Sequence, residues 1–365
     1  MPLETVGPAG GSAGVDGIAG AEEGAGAAGP WAIEIEDVWK TFPRARRPAV
    51  AGVNLQVAPG EFLVILGSSG SGKTTLLKMI NRIHDMSSGR ILVDGVDVRS
   101  VPVTELRRRI GYVIQEVGLF PHQTVAQNIA TVPRILGWDR QRIDRRVDFL
   151  LDLMQLPPEQ YRNRRPRQLS GGQQQRVGIA RALAADPPIL LMDEPFGSLD
   201  AITRASLQEE LLHLQQRFQK VVIFVTHDVD EAFRLADRIA VMHEGRIVQC
   251  DTPLRLLNHP ADDFVARLIR ADDVLQQLKL RPVADFMVNG AAGIPDGLRA
   301  AESVPLHASL QEALAAVLRS GGRPVAVVDR QERMVGWIGW EQLKGVAQGP
   351  AVAEGTGIQE RTGSA

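Results

Sequence analysis

Four short apolar runs punctuate the chain: Phe62–Leu66, Ile110–Ile114, Ile189–Met192 and Val221–Val225. Continuous rather than alternating apolar runs predict strands buried on both faces, as in a parallel sheet. Helical spacing marks Thr75–Ile83, Thr124–Ala130, Arg142–Met154 and Gln174–Ala185. Ala32–Gln56 and Arg90–Val98 read as short strands with turns at Ser88-Gly89 and Asp94-Gly95, predicting an antiparallel flank. Beyond Gln249, Leu254–Leu257 and Asp262–Leu280 look helical, and Ala291–Asp296 reads as a loop. A helix at Leu310–Leu318 and strands at Pro324–Val328 and Met334–Ile338 then lead to Trp340-Glu341.

Each of the four runs ends on a residue with chemical potential, and ligands of open α/β sheets bind at the carboxyl ends of the strands. The first run enters Gly67-Ser68-Ser69-Gly70-Ser71-Gly72-Lys73-Thr74, a match to G-x-x-x-x-G-K-[ST] in a strand–loop–helix setting. Triphosphate oxygens need many donors at short range. Glycines let successive N–H groups point inward, and the helix that follows, with Thr75 in its first turn, adds unpaired amides and a positive dipole end. Lys73 is expected on the β- and γ-phosphates, and the Thr74 hydroxyl on Mg²⁺, a hard cation that prefers oxygen.

The third run ends in Asp193-Glu194. Charges that end a buried strand are costly unless they meet a cation or donors. Asp193 is expected to hold Mg²⁺ through water, and Glu194 to orient or deprotonate the attacking water. The fourth run leads through Thr226 to His227, a candidate γ-phosphate contact. The second leads to Gln115, which could sense the same phosphate through Mg²⁺ or water. A second anion cradle is predicted at Ser170-Gly171-Gly172-Gln173, where Ser170 would cap the next helix and two glycines expose N–H groups. One triphosphate is already held by the first loop, so this cradle is expected to close over a γ-phosphate from elsewhere.

The chain has 365 residues, enough for one large domain and a smaller one. Its net charge of −2 gives no electrostatic case for nucleic-acid binding. The single cysteine, Cys250, rules out an internal disulfide framework, fits a reducing compartment, and is expected to be a small buried apolar residue. Residues 1–30 are mostly Gly and Ala; they read as a disordered tail and not as a signal peptide. No apolar stretch approaches membrane-spanning length.

The order Lys73, Gln115, Leu169–Gln173, Asp193-Glu194, Ser198-Leu199-Asp200, His227 resembles the nucleotide-binding subunit of an ATP-binding-cassette transporter. The resemblance runs from about Trp31 to Gln249. It implies an α/β P-loop NTPase core with an antiparallel flank and an inserted helical subdomain at about 116–185. It also implies a head-to-tail homodimer with ATP between Gly67–Thr74 of one copy and Ser170–Gln173 of the other, and with Ser198–Asp200 communicating across the interface. Adenine stacking would fall to Phe42, with Trp39 as the substitute.

Residues Val304–Leu343 resemble a cystathionine-β-synthase-type module in their strand–helix–strand–strand order. Only one full copy is readable, and Arg281–Met287 is read as a remnant of another. The implied layout is a nucleotide-binding domain at 31–250, a helical linker at 251–285, this small α/β module at 286–346 and a disordered tail at 347–365. A cassette with such a tail is similar to the ATPase of osmoprotectant importers for glycine betaine, choline, carnitine or proline betaine. The segments Arg108–His122, Asn128–Pro133 and Pro260–Val265 share that likeness. The implied partners are a membrane permease docking near Glu116–His122 and a periplasmic or extracellular substrate-binding protein. The implied place is the cytoplasmic face of the plasma membrane, reached through the permease. Rival readings are an importer ATPase for a polyamine, molybdate or sulfate, and a soluble cassette in DNA maintenance or translation. The second lacks its usual coiled-coil insertions and zinc cysteines here. A purely regulatory ATP switch is disfavoured by Glu194.

Overall fold

A computed structural model describes residues 31–115, 118–197, 199–271, 273–290 and 299–344. The expected tails, the loop at 291–296, Glu116 and Val117 of the expected docking segment, and Ser198 lie outside the described residues.

The chain opens with β1 (Ile33–Lys40), β2 (Val50–Val57) and β3 (Phe62–Leu66), then α1 (Lys73–Ile80), β4 (Ser88–Val93), β5 (Val96–Asp97), α2 (Val103–Arg108) and β6 (Ile110–Val113). Helices α3 (Val125–Ile129), α4 (Thr131–Ile135), α5 (Arg140–Leu153), α6 (Pro158–Tyr161) and α7 (Gly171–Leu183) follow. Then come β7 (Ile189–Asp193), α8 (Ala201–Phe218), β8 (Val221–Thr226), α9 (Val229–Leu235), β9 (Arg238–His243) and β10 (Arg246–Asp251). Two sheets result. Strands β2-β1-β4-β5 form an antiparallel sheet, and β10-β9-β3-β8-β7-β6 form a sheet that is parallel from β6 through β9.

The apolar runs are strands buried on both sides, and their period of two divides them between two cores. Phe62, Val64, Leu190, Met192, Val222 and Phe224 face one core, with α5, α7, α8 and α9. Leu63, Ile65, Ile189, Leu191, Ile223 and Val225 face the other, with α1 and the antiparallel sheet. Burying a large apolar side chain contributes about 1.5–3 kcal/mol, so a single-residue slip in β3, β7 or β8 would exchange every partner at once.

The carboxyl-terminal part begins with α10 (Pro253–Asn258), α11 (Asp263–Leu268) and α12 (Val274–Leu280). Strand β11 (Val288–Asn289), β12 (Arg299–Pro305), α13 (Leu310–Arg319), β13 (Val325–Val328), β14 (Met334–Ile338) and α14 (Trp340–Lys344) complete it. The sheet order is β11-β14-β13-β12. Strands β12 and β13 are parallel and joined through α13, the crossover that parallel neighbours need.

Several expectations change. Ser88-Gly89 is not a turn but the start of β4. The register slips there opposite Glu36 and Trp39, and Gly89 (φ 89°) leaves no room for a Cβ against the Asp37 carbonyl. The helical stretch at Asp262–Leu280 is broken, with Arg270 left-handed (φ 54°) between α11 and α12. Helix α1 stops at Ile80, short of Ile83, because Arg82 is also left-handed. Strands β9 and β10 were not anticipated. Arg281–Met287 is not a separate remnant: Val283 packs into the same core as α13 and β13, and Pro282 bridges Ser309.

Asn128 on α3 is fully buried. Its Oδ1 accepts from the Phe120 N–H at 2.8 Å, and its Nδ2 donates to the carbonyls of Phe120 (3.2 Å), Gln123 (3.4 Å) and Thr124 (3.0 Å). Asn128→Ala strands those groups, at about 1–3 kcal/mol for a buried unsatisfied donor. Hydrogen exchange at the Phe120 amide should accelerate at least tenfold, by roughly 1.4 kcal/mol or more; an unchanged rate would remove Asn128 as the anchor of this loop.

Candidate nucleotide site

The loop after β3 can only be traced by glycine at some positions. Gly70 (φ 79°) and Gly72 (φ 104°) are left-handed, and a Cβ on Gly72 would strike the Ala49 carbonyl. A Cβ on Gly67 would strike the Met242 carbonyl. The loop is therefore pressed against β9 and the residue before β2, contacts that no motif pattern announced. Ser71 is buried and its Oγ has no hydrogen-bond partner, a polar atom suited to an anion.

Lys73 is 5% exposed, and its Nζ donates to the carbonyls of Gly67 (2.8 Å) and Ser68 (3.0 Å). Burial pulls its pKa below the usual lysine value, while Glu194 and Asp193 pull it back. Next to it, Thr74 Oγ1 donates to Asp193 Oδ1 at 2.8 Å. Asp193 is 2% exposed. Burial pushes its carboxyl above the usual range, and the Thr74 hydrogen bond opposes this. Paired hard oxygens on a buried acid fit Mg²⁺, which is usually held by one or two protein oxygens together with phosphate and water.

Glu194 leaves the strand in the left-handed region (φ 44°), and its N–H donates to the Val225 carbonyl at 3.0 Å. That turn sends its carboxylate between two other candidate residues. Gln115 Nε2 donates to Oε2 at 3.2 Å, and His227 Nδ1 lies 3.2 Å from Oε1. Gln115, Glu194 and His227, each drawn from a different strand end, thus meet in one cluster. Ala49, Ser69, Gly70, Gly72, Lys73, Thr74, Thr75, Gln115 and Glu194 line a cleft of about 200 Å³.

The second glycine turn has the expected local form. Ser170 Oγ accepts from the Gln173 N–H, and Gln173 Oε1 accepts from the Ser170 N–H, a capping box at the start of α7. A Cβ on Gly171 would meet nothing within 4 Å, whereas one on Gly172 would press on Leu199. Ser170–Gln173 does not line the cleft of its own chain. Asp200 caps α8 through the Thr203 N–H, which holds its carboxyl below the usual range.

Phe42 does not line the cleft; its ring meets His84 edge-on at 5.3 Å, under Lys40 Nζ at 5.1 Å. Trp39 donates its Nε1–H to Asp37 at 2.8 Å and lies under Arg246. Cys250 is partly buried, its thiol is pushed up to about 11 by burial, and its Sγ accepts from Arg238 at 3.1 Å. Ala49, at the mouth of the cleft, was missed because a lone alanine carries no chemical signal.

The ABC transporter family model matches residues 50–197. The chain is 46% identical to the glycine betaine uptake system ATP-binding protein YehX of Escherichia coli, over 85% of this chain and 98% of that protein. It is 44% identical to the glycine betaine/carnitine/choline transport ATP-binding protein OpuCA of Bacillus subtilis, over 85% of this chain and 79% of that one. Among solved structures, a dimeric post-hydrolysis ATP-binding cassette bound to ADP and Pi superposes with TM-score 0.57 at 33% identity, covering 60% of this chain and 98% of its own.

The raised carboxyl of Asp193 has a thermodynamic consequence. A group whose pKa is higher folded than unfolded favours folding below its unfolded pKa and loses that contribution as pH rises through its folded pKa. At pH 7 the ionised Asp193 is therefore a net burden on the nucleotide-free protein. Asp193→Asn should raise the thermal midpoint at pH 7, with a gain that shrinks as pH falls towards the carboxylate range; a lower midpoint at pH 7 would contradict the sign.

Proposed function

The chain belongs to the ATP-binding-cassette transporter family, and we propose that it is the ATP-hydrolysing subunit of an importer for osmoprotectants such as glycine betaine, choline, carnitine or proline betaine. The observation that carries the enzymatic part is the placement of Glu194 between Gln115 and His227, beside Lys73 and Thr74. The cargo rests on kinship. Relatives named for glycine betaine, carnitine and choline transport support it.

In this reading the N–H groups of Gly67–Thr75 wrap the β- and γ-phosphates, which draw the Lys73 ammonium away from its own loop carbonyls. Thr74 and Asp193, with Gln115 nearby, would hold Mg²⁺, which would supply charge neutralisation for phosphoryl transfer. Glu194 accepts a proton from, or aligns, the attacking water. His227 and Gln115 hold that carboxylate; His227 meets the γ-phosphate, and Gln115 senses it through Mg²⁺ or water. Phe42 remains our candidate for adenine, with Trp39 second.

The Ser170–Gln173 turn has anion-binding geometry but no place in its own chain's cleft. We therefore assign it, with Asp200, to the cleft of a second copy in a head-to-tail homodimer. Helices α3–α7 then act as the helical subdomain within a 31–250 nucleotide-binding domain. Phe120–His122 belongs to the face that meets the permease. Among the described residues no helix is long and apolar enough to cross a membrane, and attachment to the cytoplasmic face is assigned to that permease, with a substrate-binding protein completing the complex. The unit at 286–346, reached through the 251–285 linker, is read as one cystathionine-β-synthase-type module.

Glu194→Gln should retain ATP binding, slow turnover by about 100-fold or more and trap an ATP-dependent dimer visible by light scattering. Unaltered turnover would remove Glu194 from the reaction. Lys73→Ala should weaken binding of a fluorescent ATP analogue by at least about tenfold, the worth of one charge-assisted contact; unchanged affinity would move the phosphates elsewhere. With the permease and binding protein reconstituted, glycine betaine or choline should stimulate ATP turnover; stimulation by a polyamine, molybdate or sulfate alone would replace the cargo assignment.

A further inference from the structure

His227 sits between β8 and α9, with its Nδ1 3.2 Å from Glu194 Oε1. The backbone that carries it is fixed from behind. The Asp228 N–H donates to Thr226 Oγ1 at 3.0 Å, and that hydroxyl donates to Glu231 Oε2 at 2.7 Å. Asp228 Oδ1 accepts from the N–H groups of Asp230 (2.9 Å) and Glu231 (3.3 Å), capping α9. Its other oxygen, Oδ2, lies 3.5 Å from Nη1 of Arg204.

Arg204 comes from the first turn of α8, four residues after Asp200. Its Nη2 donates to the Leu199 carbonyl at 3.1 Å, and its Nε lies 3.9 Å from Glu231 Oε1. One planar guanidinium thus spans two segments far apart in sequence. Its rigid fork of donors makes that grip directional, which a lysine could only partly reproduce. The same turn of α8 is tied to the second glycine turn's helix, since Arg176 Nη2 donates to Thr203 Oγ1 at 3.1 Å. The side chain of Glu231 is nearly buried, and burial pushes its carboxyl up, with the Thr226 hydrogen bond opposing.

We propose that Arg204 is a positioning residue for ATP hydrolysis: by gripping the Leu199 carbonyl and the Asp228 carboxylate together, it couples the Leu199–Asp200 segment to the backbone that carries His227. The inference rests on the dimer reading above, in which Leu199–Asp200 faces the second copy. Arg204 does not line the cleft; it transmits closure of the dimer to the position of the histidine.

The test is a double-mutant cycle on the full chain with Arg204→Ala, Asp228→Asn and both, alongside Arg204→Lys. ATP turnover, KM and affinity for a fluorescent ATP analogue are measured, with thermal midpoints as a check on folding. Arg204→Ala is expected to lower kcat by about tenfold or more while KM and analogue affinity stay within about twofold. Arg204→Lys should recover part of that loss, and the double variant should be no worse than Arg204→Ala alone, as for groups acting as one unit. Losses that multiply, or a KM that rises in step with the fall in kcat, overturn the proposal. Should Arg204→Ala fail to fold, the cycle runs on Arg204→Lys and Asp228→Asn with the same criteria. Failure of the Glu194→Gln parent to dimerise overturns the dimer reading; a normal dimer with multiplying losses overturns the Arg204 proposal alone.

Discussion

Two adjacent carboxylates at the end of one fully buried strand set the terms for the rest of the molecule. A charge delivered into a core must find a donor or a cation, and β7 delivers two. Asp193 keeps the alternation of the strand and shares the side of Leu191, where it meets Thr74 at the start of α1. Glu194 would follow Met192 into the opposite core if the strand continued. It adopts φ 44° instead, a conformation costing roughly 1–3 kcal/mol for a residue with a Cβ. Its tie to Val225 on the neighbouring strand helps hold that turn. The outcome is a carboxylate at the rim, between Gln115 and His227, while its neighbour remains buried with the hydroxyl and the lysine.

The same logic explains what was legible in the sequence. Continuous apolar runs gave away the parallel strands because burial on both faces leaves no polar alternation to confuse them. The phosphate loop and the capped turn at Ser170 were readable because glycine and serine are required there for local backbone reasons. Strands β9 and β10 were not, although Ile239–Met242 is apolar, because no functional residue follows at their ends to draw attention to them. Gly89 read as a turn because a left-handed glycine inside a strand has the same spelling as one between strands. The position of Arg270, a non-glycine residue in the left-handed region, has no local signature, and neither does Arg204: its partners are a carbonyl and a carboxylate brought near by the fold.

In the proposed site, the elements assigned to the nucleotide and those assigned to its reaction partners come from different strand ends, so the site is only as precise as the sheet that aligns them. That alignment depends on the two cores on either face of β3, β7 and β8. The carboxyl-terminal unit, in contrast, has its own core around Val283, Leu310, Val317, Val327 and Ile338. The linker helix α12 meets the cassette through contacts such as Lys279 with Asp230 of α9, 2.8 Å apart and both exposed. Exposed pairs of this kind contribute at most about 1 kcal/mol and are screened by salt.

In the head-to-tail dimer proposed above, each ATP is held between Gly67–Thr74 of one copy and Ser170–Gln173 of another. Mixing two inactive variants tests it directly. A chain carrying Lys73→Ala and a chain carrying Ser170→Arg are each expected to be inactive. In a mixed head-to-tail dimer, one of the two sites has both elements intact, so combining them in equal amounts should restore ATP turnover to about a quarter of the wild-type rate. A mixture that stays as inactive as its two components would contradict the shared site.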